Sequence, residues 1–167
     1  FFKSGFPSKQ VEDWKFTDLN LILSKNFKSI SNKVNFAFSE KLETIKHFEH
    51  NHIFLNNGKI ISSSFAYEDT NKILIKDFDQ KEPTNFNPAN TLTLLNSALS
   101  SGGFSLEVTK NYKLKKPLII YNYFSKDLDN KILNNKNFIK LNEGSELTLI
   151  DYNDGHVQSN FIKNTVD

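Results

Sequence analysis

Apolar positions repeat along this chain with two periods, and the change from one to the other marks its elements. Between Gly102 and Tyr152 they fall at every second residue or in short runs. Phe104, Leu106 and Val108 alternate with Ser105, Glu107 and Thr109; then come Leu118-Ile119-Ile120-Tyr121, Phe138-Ile139 and Leu147-Thr148-Leu149-Ile150. Such β-branched and aromatic runs between turn residues predict strands with one face buried. Gly144, after Asn142, suits a turn that needs a positive φ. Earlier, Leu19, Ile22, Leu23 and Phe27 keep helical spacing behind Thr17, a candidate cap, with Trp14 and Phe16 placed to dock the helix. A second helix is expected after Ser39, burying Leu42, Ile45 and Phe48. Two apolar runs flank Asn57-Gly58, the favoured pair for a type I′ hairpin turn. Ile73-Leu74-Ile75 reads as another strand, and Leu92, Leu95, Ala98 and Leu99 as one side of a short helix that Gly102-Gly103 ends.

These elements predict a mainly β protein in two parts. Residues 1–90 form a small α/β region, and the polar stretch Asp77 to Asn90, with Pro83 and Pro88, links it to a β region over 91–167. Strands are expected to start near residues 104, 118, 138, 147 and 161. The returns from Leu118 to Phe138 and from Phe138 to Phe161, 20 and 23 residues, fit coils of a β-solenoid. A sandwich accounts for the same strands. There is no methionine, and the last run, Phe161 to Asp167, has no closing element. The chain therefore reads as an internal fragment of a longer protein.

Composition narrows the chemistry. All 21 basic residues are Lys, against 19 acidic ones, for a formal charge of +2. That balance gives no electrostatic case for nucleic acid, and without Arg the chain lacks the preferred bidentate reader of phosphate and guanine. With no cysteine there is no disulfide, thiolate metal site or thiol nucleophile, which fits a cytoplasmic protein. No run reaches the length of a membrane span. His47, His50 and His52 cluster near the expected end of the second helix, where a specific metal site is not expected for want of a further ligand set. Asp151 and Asp154 read as solvated turn carboxylates and His156 as a loop histidine. No phosphate loop or nucleophile–base arrangement stands out, so no catalytic, cofactor-binding or metal residue is assigned. Tyr112, Tyr121, Tyr123 and Tyr152 leave open a second reading, a carbohydrate-active or carbohydrate-binding β-solenoid protein.

Four segments taken in order carry a resemblance: Gly5-Phe6-Pro7, Glu12-Asp13-Trp14-Lys15-Phe16-Thr17-Asp18-Leu19, Phe54-Leu55-Asn56-Asn57-Gly58 and Leu95-Asn96-Ser97-Ala98. They resemble the amino-terminal part of the SufB/SufD family, scaffold subunits of the SUF iron–sulfur cluster assembly system. The element around Trp14 inclines toward the SufD branch. Pro117-Leu118-Ile119-Ile120, Asn137-Phe138-Ile139 and Glu143 to Asp151 are similar to the start of that family's core. The resemblance implies a right-handed parallel β-helix beginning within residues 91–167. It also implies a non-catalytic scaffold acting with a SufB-like paralogue and a SufC-like ABC ATPase, mostly through contacts downstream of residue 167. No cofactor is implied for these residues themselves; the full complex is expected to carry a transient iron–sulfur cluster. His156 lies too early to match the histidine implicated in the family, so no functional residue is carried over.

Overall fold

The computed structural model describes residues 5–27, 43–78, 91–155 and 162–166. The elements are α1 (Leu19–Asn26), β1 (Asn51–Asn56), β2 (Lys59–Ser64), β3 (Ile73–Asp77), α2 (Thr91–Leu99), β4 (Gly102–Val108), β5 (Leu118–Phe124), β6 (Ile132–Leu141), β7 (Leu149–Gly155) and β8 (Ile162–Val166). The strands form two four-stranded sheets, sheet A in the order β2-β1-β5-β7 and sheet B in the order β3-β4-β6-β8. In each, one antiparallel edge strand, β2 or β3, joins three parallel ones.

This mixed α/β arrangement corrects the expectation of a mainly β chain that opens a right-handed parallel β-helix. The predicted strands exist, but the returns of 20 and 23 residues are not pairing distances. Leu118 pairs with Leu149 and Phe138 with Ser105, because consecutive strands from β4 onward belong to different sheets. Both sheets also draw strands from before residue 90: β1 pairs with β5, and β3 with β4. The second expected helix is absent among the described residues, since 43–50 run without helix and 28–42 lie outside those described. The linker from 79 to 90 and His156 also lie outside them.

The alternation read in the sequence explains the core. Phe104, Leu106 and Val108 are fully buried, while Glu107, on the other face, meets Lys140 at 2.9 Å and Asn142 at 2.8 Å. Ile53 and Leu55 of β1, Ile73 of β3, Phe104 and Leu106 of β4, and Leu118 and Ile120 of β5 form one cluster. Each such side chain contributes about 1.5–3 kcal/mol by leaving water. The Asn57-Gly58 turn forms as expected, with φ of 50° and 85°, and it also bridges the sheets. The N–H of Gly103, in β4 of sheet B, donates to the Gly58 carbonyl at 2.6 Å, while the N–H of Ser125, just after β5 of sheet A, donates to Asn57 Oδ1 at 3.0 Å and holds the turn to its own sheet.

α1 and α2 cover Ile132 at the start of β6, with Phe6, Trp14, Phe27 and Leu92 around Leu19 and Leu23. A cavity of about 140 Å³ remains among them. The helix cap is Asp18 rather than Thr17: its Oδ1 accepts the Leu21 N–H at 2.9 Å, which holds its carboxyl below the usual value. Trp14 docks the helix as expected, whereas Phe16 is 91% exposed and does not.

Candidate functional site

The outer face of sheet A gathers the chain's clustered histidines. The side chains of Ile53 and Leu55 point into the core, so those of His52 and Phe54 emerge on the opposite face. There Phe54 pairs with Tyr121 across β5, and Tyr121 with Tyr152 across β7. Phe54 and Tyr121 stack with ring centroids 4.6 Å apart, and Tyr152 meets Tyr121 edge-on at 5.5 Å. Ile45 packs over Phe54, Ile119 and Tyr121, so residues 43–49 strap this face. A cavity of about 540 Å³ opens beside the strap, lined among others by His47, Phe48, His52, Ser64 and Tyr67.

Tyr121 holds the strap. Its hydroxyl accepts the Ile45 N–H at 3.0 Å and lies 2.9 Å from His50 Nε2, whose Nδ1 is 3.0 Å from the Phe48 carbonyl. A carbonyl only accepts, so Nδ1 donates to it, and in the neutral ring Nε2 then accepts from the Tyr121 hydroxyl. Burial, with Tyr152 nearby, raises Tyr121 above the usual phenol value despite the Ile45 N–H, so it keeps its proton. Burial first, and His50 second, push His52 below the usual imidazole range. Its ring touches His50, Phe54 and Tyr121 and makes no hydrogen bond to the described residues, which leaves a neutral acceptor at the cavity wall.

The sequence placed His47, His50 and His52 at a helix end; the structure puts His47 in a bend, His50 just before β1 and His52 within it. Both nitrogens of His50 are committed to hydrogen bonds. Among the described residues no group of three or more His, Cys, Asp or Glu side chains is disposed to hold a metal ion. Asp151 receives Asn122 Nδ2, while Asp154 accepts the N–H of Gly155 at 2.7 Å. Three residues apart on one strand, the two carboxylates face opposite ways.

Tyr121 and Tyr152 meet on the outer face of sheet A, whereas Tyr112 lies elsewhere. Tyr121 is 4% exposed, and Tyr112 donates to Glu68 at 2.8 Å while accepting the Asp69 N–H at 2.8 Å. Sequence reasoning missed Glu68, which also accepts from Asn51 Nδ2 at 2.8 Å and from the N–H groups of Lys115 and Lys116 at 2.9 and 3.1 Å. Burial alone would raise its pKa; these hydrogen bonds outweigh it and hold the carboxyl below its ordinary value. A lone Glu in a loop carries no pattern that announces such a hub. Among the described residues, no helix is long and apolar enough to cross a membrane.

Residues 1–120 match the family model described as SufBD protein N-terminal region. No curated protein matches the chain.

Proposed function

This chain belongs to the SufBD protein family, matched through the family's N-terminal region over residues 1–120, and we propose that it is a SufD-type scaffold subunit of the SUF iron–sulfur assembly system. The match over 1–120 is the observation that carries this reading. Within the family, the Trp14-Lys15-Phe16-Thr17 element favours the SufD type over SufB. The subunit works in the cytoplasm without catalysis of its own, together with a SufB-type paralogue and a SufC-type ABC ATPase, and the cluster is cargo of the complex. The histidine and tyrosine groups fasten loops to the fold, which suits a scaffold. His50 and Tyr121 fasten a strap, and Tyr112 fastens a turn through Glu68.

The test is replacement in cells. The protein should restore iron–sulfur enzyme activity in cells lacking their SufD-type subunit and not in cells lacking the SufB-type one. From the rescued cells it should co-purify with both the SufB-type and SufC-type subunits. Rescue of the SufB-type deficiency alone would reverse the assignment within the family. Failure to associate with either partner would remove the scaffold reading.

A further inference from the structure

Asn-Gly and Asp-Gly each occur once in the chain, as Asn57-Gly58 and Asp154-Gly155. Both pairs are open to the same spontaneous chemistry, because glycine has no Cβ to shield its amide nitrogen or restrict its peptide. That nitrogen attacks Cγ of the preceding side chain and closes a succinimide ring. At Asn57 the N–Cγ bond would form as the Cγ–Nδ2 bond breaks, and ammonia would leave with the amide proton. At Asp154 a carboxyl oxygen leaves as water, carrying the amide proton and one from solvent. Water then opens either imide carbonyl. One opening gives aspartate, and the other gives isoaspartate, whose main chain runs through Cβ and Cγ.

In an unfolded chain Asn57 is the more reactive of the two, because a neutral carboxamide is a better electrophile than a carboxylate. The fold reverses this. Asn57 is fully buried and held in its turn at φ 50°. Its N–H donates to the Tyr123 carbonyl at 2.9 Å. Ser125 engages both ends of its carboxamide: Oδ1 accepts the Ser125 N–H at 3.0 Å, and Nδ2 donates to Ser125 Oγ at 2.8 Å. Gly58 has no freedom to swing toward that carboxamide. A Cβ built on it would lie 2.1 Å from Asn135 Oδ1, and its carbonyl is held by the Gly103 N–H. Asp154 has the opposite setting. It is exposed near the end of β7, the edge strand of sheet A. Its Oδ1 accepts the Gly155 N–H at 2.7 Å, so the attacking nitrogen already lies against the carboxyl group it must join.

We infer that Asp154-Gly155 is a site of spontaneous isoaspartate formation in the folded protein, and that the fold spares Asn57-Gly58. The product matters to sheet A. Asp154 pairs with Tyr123 and Gly155 with Phe124 on β5. Isoaspartate adds a carbon to the main chain between these two positions, so both cannot keep register. Gly155 also approaches β5 so closely that a Cβ on it would lie 2.3 Å from the Phe124 carbonyl oxygen, which leaves the longer chain no room without displacement. The damage stays at this edge, since the cluster shared by the sheets draws on neither Asp154 nor Gly155. At Asn57 the same reaction would place a charge in a fully buried turn that joins the sheets.

Incubation of the full chain near neutral pH, folded and in urea, followed by peptide mapping and isoaspartyl methyltransferase labelling, tests the assignment. In the folded protein the label should appear at Asp154. Asn57 should change at least about tenfold more slowly there than in urea, because reaction at that position requires the turn to open. In urea the order should reverse, with Asn57 converted before Asp154. Asp154→Glu lengthens the side chain, disfavours ring closure and should remove the label from this position. Ser125→Ala deletes one of the two carboxamide hydrogen bonds and should speed conversion of Asn57 in the folded protein without altering Asp154. The comparison of the unaltered chain with and without urea does not require either variant to fold. Absence of the label at Asp154 in the folded protein would overturn the inference. So would conversion of Asn57 at one rate in both states, or the same order of reaction in both.

Discussion

Gly103 shows how sharply one residue can be constrained here. Its φ is +129°, and a Cβ built on it would lie 1.7 Å from the Lys136 carbonyl oxygen, a clash with backbone that no rotamer relieves. Gly103→Ala should cost more than about 3 kcal/mol in urea unfolding. Gly5→Ala, also at positive φ but with nothing within 4 Å, should cost only about 1 kcal/mol. Glu68 gives a pH signature at the same scale. Its folded value lies below the ordinary 4.5, so its contribution is present above that value and disappears as the pH falls through the folded one. Glu68→Gln should destabilise by about 2 kcal/mol at pH 7, and the gap from the unaltered protein should close on acidification below the ordinary value. A gap independent of pH would mean that shape, not charge, holds the site.

Among the elements, the helices and the strand β4 were legible because each buries one face and carries its own period. In α1, Leu19 and Leu23 are buried as the spacing required, while Ile22 is 39% exposed at the edge of that stripe. The second helix was misread because Ile45 and Phe48 happen to keep helical spacing. Ile45 instead packs over a sheet through a strap, an arrangement that no local period encodes. α2 gives a measurable contrast. Leu95 is 2% exposed and borders the cavity of about 140 Å³, so Leu95→Ala enlarges an existing void and should cost about 3 kcal/mol. Leu21→Ala, on the exposed side of α1 at 47%, should stay within about 0.5 kcal/mol, and chemical denaturation of both variants would separate them.

In the whole molecule the two sheets share one cluster, so they should unfold together. Phe104→Ala empties a fully buried position of sheet B that packs with Ile53 and Ile120 of sheet A. It should cost about 3–5 kcal/mol and reduce hydrogen-exchange protection in both sheets by the same factor. Loss confined to β4 would show that the sheets are separate units. The buried face of β4, the Asn57-Gly58 turn, the existence of α2 and the family to which the chain belongs were all legible from local spacing or short motifs. Only the tertiary structure decided which strands pair. Partners such as Glu107 and Lys140 stand 33 residues apart, and a two-residue period marks the buried face of a strand without naming its neighbour. The same holds for Tyr121. An aromatic residue in an apolar run reads as core, and its hydroxyl gained a role only when the fold brought Ile45, 76 residues away, and His50, 71 residues away, to the two sides of one oxygen.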